Sequence, residues 1–326
     1  MQSYSVEHLQ QMVSNAIALL PVYKEPSGLY EPISYTMNQG GKRLRPLLTL
    51  VAAQMFGGNP ERALPAATAI EIFHNFTLLH DDIIDQAPLR RGAETVYKKW
   101  NINTAILSGD TMFAIAYGQL SASDPELLPG LMDVFTRTAI EVCEGQQYDI
   151  DFETTESVSL EEYITMIRLK TAVLLAASLK IGAIIGGAST EEAGHIYAFG
   201  ENIGIAFQLQ DDYLDAFGDE RTFGKKTGGD IVVNKKTYLY LKALQNASEA
   251  DKHELQAIYS GSISDPAEKV GRVLDIFVRN GVQESTRDII ASYYNKGMES
   301  LKKIRLKPEA LEPLMKLISG MLDRKF

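Results

Sequence analysis

The sequence predicts an all-α protein, and three observations carry that expectation. Nearly every segment between glycine and proline breakers has apolar residues at three- and four-residue spacing, the signature of one face of a helix. Strand signals are scarce, with no sustained apolar/polar alternation and no Asn-Gly or Asp-Gly turn between β-branched runs. No low-complexity linker interrupts the 326 residues, so a single all-helical domain over 1–326 is expected. The helical spacing covers 5–20, 46–57, 64–85, 103–121, 130–150, 160–186, 191–215, 237–257, 264–280 and 284–304. The expected connectors are 21–32, 86–94, 121–129, 152–159 and 216–236, the last with four glycines and four lysines.

The composition is that of an ordinary globular protein, 45% hydrophobic and 23% charged. A net charge of -10 argues against nucleic acid as the main partner, because a phosphate backbone calls for a basic surface. The one cysteine, Cys143, excludes an internal disulfide and a multi-cysteine metal site, and is expected to be a buried, inert thiol. The N-terminal stretch lacks the basic end and apolar run of a signal peptide, and no apolar run of about 18 residues suggests a membrane span. A cytoplasmic protein is expected.

Chemistry enters with a pattern that occurs twice: Asp81-Asp82-Ile83-Ile84-Asp85 and Asp211-Asp212-Tyr213-Leu214-Asp215. On a helix Asp81 faces Asp85, and Asp211 faces Asp215, across one turn. Like charges at that spacing weaken a helix, so helix stability does not account for either cluster. Carboxylates set in apolar sequence need compensation, and a hard cation supplies it. Two clusters facing each other would form an oxygen cage for magnesium, which fills its shell with water and substrate phosphate. Asp81, Asp82, Asp85, Asp211, Asp212 and Asp215 are therefore candidate metal ligands, and the chain reads as an enzyme that handles a diphosphate.

The segments after both clusters are basic, with Arg90-Arg91 in one and Lys225, Lys226, Lys235 and Lys236 in the other, as anion capture requires. Near the N-terminus, Gly40-Gly41-Lys42-Arg43-Leu44-Arg45-Pro46 sets three cations beside two glycines. It reads either as a diphosphate clamp or as a basic loop before a helix opened by Pro46. His74 lies two helical turns before Asp81, about 10 Å along the axis and on the same stripe. Gln208 shares the face of the second cluster. Lys170-Thr171 falls mid-helix, with the lysine either snorkelling to solvent or directed into a cavity.

Six ordered blocks complete the pattern: GGKRLRP, HNFTLLHDDIIDQAPLRRG, EGQQYDID, LKTA, FQLQDDYLDAFGD and FGKKTGGDIVVNKKT. Together they make residues 40–237 resemble the trans-isoprenyl diphosphate synthases, the head-to-tail prenyltransferases. The resemblance implies a bundle of long helices around a deep central cavity, usually a homodimer. It implies condensation of isopentenyl diphosphate with an allylic diphosphate. Asp81, Asp85 and Asp211 correspond to ligands of three magnesium ions, supported by Asp82 and Asp215. Arg90, Lys170, Lys225 and Lys235 correspond to residues holding the allylic diphosphate, and Lys42, Arg45, His74 and Arg91 to the isopentenyl diphosphate pocket. Thr171 and Gln208 correspond to positions whose oxygens stabilise the allylic cation. Segment 216–236 is long and glycine-rich and is expected to close over the substrates. Asn234 stands where many members have glycine before the lysine.

Chain length follows from the same resemblance. Phe76 and Thr77, five and four residues before Asp81, match a geranylgeranyl pattern, while Phe73 forms a deeper block roughly 12 Å below Asp81. A geranylgeranyl product is expected slightly ahead of a farnesyl one. A class I terpene cyclase and a non-catalytic subunit of a heteromeric synthase are the competing expectations. The intact second aspartate motif and the GGKRLRP block disfavour the first, and the retained aspartates and clamps disfavour the second.

Overall fold

In the computed structural model, which describes residues 4–218 and 227–322, 78% of the chain is helical, as the periodicity predicts. The chain resolves into two compact units. The first comprises Met1–Thr136, Ala177–Gly194 and Arg305–Leu314; the second comprises Arg137–Ala176, His195–Ile304 and Met315–Phe326.

Among the described residues, the α-helices of the first unit ahead of Leu128 are α1 Val6–Ala18, α2 Ser27–Asn38, α3 Leu44–Met55, α4 Leu64–Ile84, α5 Val96–Lys99 and α6 Ile102–Leu120. Helix α4 packs most extensively on α6 and next on α3. It buries Ile70, Ile72 and Phe73 with Leu48, Leu50 and Val51 of α3 and Met112 and Ala116 of α6. Each such large side chain contributes about 1.5–3 kcal/mol of burial. Gly109 lets α6 approach closely enough for His80 to lie across it, with Nε2 3.3 Å from the Ile106 carbonyl oxygen.

The second unit takes the C-terminal part of α7 (Leu128–Thr154), α8 (Leu160–Ile167) and the N-terminal end of α9 (Val173–Gly186). It continues through most of α10 (Thr190–Phe217), then α11 (Gly229–Val232), α12 (Tyr238–Asn246), α13 (Glu249–Ala257), α14 (Pro266–Arg279) and α15 (Val282–Lys302). Its core gathers Tyr163, Leu209, Tyr213, Leu239, Val273 and Phe277. The start of α8 is set by a reciprocal cap: Ser159 accepts from the Glu162 N–H while the Glu162 carboxylate accepts from the Ser159 N–H.

Several elements depart from the sequence expectation. Helix α2 occupies part of the expected connector 21–32, with Pro32 in its interior, and a further helix, α16 (Pro308–Leu322), carries Pro313 inside. The 237–257 segment is two helices, because Ser248 caps a new start by accepting from the Asp251 N–H. A minimal hairpin, β1 Leu89–Arg90 with β2 Ala93–Glu94, sits in the 86–94 connector. Its turn places Arg91 at φ 52° and Gly92 at φ 78°, the two positive angles of a tight hairpin turn. Cys143 is exposed on α7, not buried. The stretch Leu160–Gly186 is long and apolar enough to cross a membrane, contrary to the expectation of no such run, but 72% of its apolar window is buried within the protein.

Candidate active site

The first unit holds the first aspartate motif on the last turn of α4. Asp81 is half-buried, Asp82 is buried, and Asp85 is the exposed C-cap of the helix. Asp82 is turned into the protein, where Arg90 Nε of the hairpin donates to its Oδ1 at 2.7 Å. Burial pushes the Asp82 carboxyl above its ordinary range, and Arg90 opposes that shift. Asp81 and Asp85 share the outer face of the turn.

Below the motif lies a cluster of cations. Arg45, on the first turn of α3, donates through Nη1 to His74 Nε2 at 3.1 Å. A guanidinium only donates, so the imidazole accepts and carries its proton on Nδ1. Burial holds the His74 pKa well below its ordinary value, and Arg45, Arg91 and Arg90 depress it further, so His74 is neutral. The Arg91 guanidinium bonds the Gly40 carbonyl oxygen and lies against Gly41, where a Cβ would sit 3.0 Å from its Cζ. Gly40 and Gly41 both have positive φ, at 76° and 134°, so the two glycines supply the backbone angles and the close approach. Lys42 is exposed. The buried Glu71, held by Asn75 Nδ2 at 3.1 Å, sits among these arginines.

The chain-length candidates divide. Phe73 is fully buried against Phe76, Phe113 and Phe135. Phe76 is half-buried, its ring 5.3 Å from Phe113 and 4.7 Å from His80. Thr77 is half-buried, its hydroxyl donating to the His74 carbonyl oxygen at 2.8 Å.

In the second unit, the helix containing Lys170-Thr171 is not regular. Residues Arg168–Ala172 form a π turn between α8 and α9. One residue too many in a turn breaks the helical ladder locally, and such turns recur at functional sites. Two glycines make room for it. A Cβ on Gly145 of α7 would fall 2.7 Å from Lys170 Cα, and one on Gly204 of α10 would fall 2.6 Å from Ala172 Cα. The turn directs Lys170 Nζ to Asp149 Oδ2 at 2.5 Å, so the lysine is ion-paired and not snorkelling. Burial raises the Asp149 carboxyl, but Lys235 and Lys170 outweigh it and hold the pKa below the ordinary value.

Thr171 continues a hydrogen-bonded chain. Its hydroxyl donates to Gln208 Oε1 at 3.1 Å, and Gln208 Nε2 donates to Asp212 Oδ1 at 3.1 Å. The hydroxyl of Tyr163 donates to the other Asp212 oxygen. Asp212 is thus turned inward, as Asp82 is, while Asp211 and Asp215 are half-exposed. Asp215 Oδ2 accepts from the Asp230 N–H at 2.9 Å and so anchors α11. Lys236 caps the end of α7 by donating to the carbonyl oxygens of Phe152 and Thr155. Lys225 lies outside the described residues. Among the described residues, no group of three His, Cys, Asp or Glu side chains is arranged to hold a metal by itself.

Burial and the neighbouring Asp230 raise the Asp212 carboxyl from 3.8 to about 7, against the donors Tyr163, Lys235 and Gln208. A carboxyl held neutral in the fold contributes stability in full below the unfolded value and loses it as pH rises through the folded one. In metal-free protein, Asp212→Asn is therefore expected to leave the melting temperature near pH 4 unchanged and to raise it by several degrees near pH 8. Thermal melts at the two pH values check this, and equal shifts at both would reject it.

Four contributors were assigned no role from the sequence, each acting through a partner more than ten residues away: Tyr163 and Phe113 have no signal there, while Gly145 and Asp149 lie in the EGQQYDID block. The first unit sets hard carboxylates beside half-buried and exposed cations, and the second sets its own carboxylates beside Lys170 and a hydroxyl–amide chain ending at Thr171. That is the equipment of diphosphate ionisation.

The chain belongs to the polyprenyl synthetase family, whose pattern matches residues 26–277, and is a trans-isoprenyl diphosphate synthase. A geranylgeranyl diphosphate synthase of Methanosarcina mazei is 38% identical over 310 residues, covering 94% of this chain and 93% of its own. A crystal structure of a geranylgeranyl pyrophosphate synthase superposes with a TM-score of 0.93 at 46% identity, covering 99% of this chain and 100% of that one. The geranylgeranyl pyrophosphate synthase of Corynebacterium glutamicum, crystallised with isoprenyl diphosphate and magnesium, superposes with a TM-score of 0.85 at 28% identity over 98% of each chain.

Proposed function

We propose that the chain condenses isopentenyl diphosphate with an allylic diphosphate to make geranylgeranyl diphosphate. One observation carries the substrate assignment. A protein of net charge -10 gathers Arg45, Arg90 and Arg91 around a neutral His74, two turns below the carboxylates Asp81 and Asp85. Cations for a diphosphate beside carboxylates for its metal match this substrate class.

Lys42, Arg45, His74 and Arg91 hold isopentenyl diphosphate; Arg90, Lys170 and Lys235 hold the allylic diphosphate. The carboxylates Asp81 and Asp85 in the first unit and Asp211 in the second take magnesium, three ions in all. Their exposed hard oxygens suit that ion, while the inward-turned Asp82 and Asp212 order the helices that carry them. Magnesium, when bound, neutralises charge that develops on the leaving diphosphate. Thr171 and Gln208 turn oxygen lone pairs to the allylic cation, since the Thr171 proton is committed to Gln208. The family pattern runs unbroken from 26 to 277, which supports one synthase domain. Exposed Ile102, Ile106 and Leu107 on one side of α6 support a homodimer, a reading that sedimentation at the 36.1 kDa monomer mass would sink. The lone cysteine suits a reducing, cytoplasmic setting.

Mass spectrometry of products from isopentenyl diphosphate and dimethylallyl, geranyl or farnesyl diphosphate tests the reading. A discrete geranylgeranyl diphosphate supports it, and a hydrocarbon without elongation would overturn it. In the same assay Phe76→Ala is expected to lengthen the main product, since Phe76 is half-buried at the outer end of the aromatic cluster. Phe73→Ala is expected to lower stability by about 3–5 kcal/mol, because Phe73 is wholly enclosed. An unchanged product from Phe76→Ala would remove it from the length-setting residues.

A further inference from the structure

Helix α11 ends three residues before Lys235, and its ending is fully described by hydrogen bonds. The Lys235 N–H bonds the Asp230 carbonyl oxygen at 2.9 Å, and the Asn234 N–H bonds the Ile231 carbonyl oxygen at 3.1 Å. Asn234 has φ 60°. This is a Schellman ending, with Asn234 in the left-handed position usually taken by glycine and Lys235 immediately after it. The Thr237 N–H then closes on the Lys235 carbonyl oxygen at 2.9 Å, so the backbone of Lys235 is held on both sides. From there the lysine acts electrostatically on Asp149 and Asp212.

A second lysine locks this ending from behind. Lys269, on the first turns of α14, is buried at 6% exposure. Its Nζ donates to the Val232 carbonyl oxygen at 2.9 Å and to Asn234 Oδ1 at 2.5 Å, and lies 5.7 Å from the Tyr259 ring centroid. Among the described residues no carboxylate pairs with it. A buried ammonium without a counter-ion is an unfavourable way to fill space, since an apolar side chain would pack there without the desolvation penalty. Its effect is local and specific: it satisfies a helix-end carbonyl that the Schellman bonds leave open, and it fixes the side chain at the left-handed position. Asparagine in place of glycine thus supplies the acceptor that the lysine needs.

We propose that Lys269 is a positioning residue that acts through Lys235, with the Lys269–Asn234 clasp holding the turn that presents the Lys235 ammonium to the allylic diphosphate. The proposal rests on the assignment of Lys235 to that diphosphate. Its consequence falls on one substrate: loosening the turn weakens capture of the allylic diphosphate and leaves the isopentenyl diphosphate pocket of Arg45 and His74 as it was.

A double-mutant cycle read by steady-state kinetics with geranyl diphosphate, isopentenyl diphosphate and magnesium tests it. Lys235→Met alone is expected to raise KM for geranyl diphosphate by about 30-fold, the loss of one charge-assisted phosphate contact. Lys269→Met is expected to raise the same KM by about fivefold, with KM for isopentenyl diphosphate unchanged. In the Lys235→Met background the Lys269→Met cost should vanish. Equal costs in both backgrounds would overturn the route through Lys235. No effect of Lys235→Met would overturn the assignment beneath it, a separate and recognisable failure. Should Lys269→Met not fold, Asn234→Gly carries the test, because Asn234 is exposed and glycine accepts its backbone angle. Having lost one of the two bonds, it should raise KM for geranyl diphosphate by about threefold, again only when Lys235 is present. Lys269→Arg, which keeps a donor to both oxygens, should recover most of the loss.

Discussion

Replacing Asp81 with asparagine is expected to lower kcat by about a thousandfold or more while moving the melting temperature by no more than a few degrees. Asp81 is half-buried on the last turn of α4, so the change removes a charge with little loss of packing. On the assignment proposed above, that charge would hold magnesium against the leaving diphosphate, an interaction stronger in the transition state than in the ground state. Part of the loss should return at high magnesium concentration. Asp82→Asn makes the contrast, because that carboxyl is turned into the protein against Arg90 at 2.7 Å and raised by burial, so its neutral amide should not lower the melting temperature near pH 8. Kinetics with calorimetry separate the two, and a loss of tenfold or less for Asp81→Asn would strike it from the magnesium ligands.

The second large effect is expected from one methyl group. Gly145→Ala places a Cβ 2.7 Å from Lys170 Cα and against backbone that has no flexible side chain to yield. The π turn and α7 have to separate, which costs about 1–3 kcal/mol in stability. The larger consequence is catalytic, because a displacement of about 1 Å in a reacting group can cost a hundredfold in rate. We expect kcat to fall by about that factor, with KM for isopentenyl diphosphate little changed. Gly118→Ala on α6 is the control, since a Cβ there meets nothing within 4 Å. Equal kcat for the two variants would show that the turn does not depend on the glycine.

The helices that escaped a reading of periodicity share a cause. Both α2 and α16 carry an interior proline, Pro32 and Pro313, which removes one backbone donor and normally ends a helix. Each bears enough apolar residues to be held by packing, with Ile33 and Met37 buried on α2 and Leu314 and Ile318 on α16. The aspartate motifs were legible because like charges in apolar sequence have no local explanation. What those aspartates touch was not legible. Asp82 and Asp212 occupy the same place in the two motifs, yet one bonds a guanidinium and the other a phenol and an amide. The guanidinium comes from the hairpin and the phenol from α8, which no spacing along one helix can reveal; only the amide of Gln208, four residues before Asp212 on α10, lay within reach of periodicity. Asn234 was noticed as a departure from glycine, but its reason lies 35 residues away, on Lys269.

The π turn bears on any attempt to move this chemistry to another scaffold. Copying Lys170 and Thr171 onto a regular helix would reproduce the letters without the orientation, because the turn holds a residue more than an α-helix accommodates. The transferable unit is larger: Arg168–Ala172 together with Gly145 and Gly204, the two places where neighbouring helices yield space. A designed helical bundle would need that surplus residue and both clearances written into three separate helices before the lysine and threonine could point where they do here.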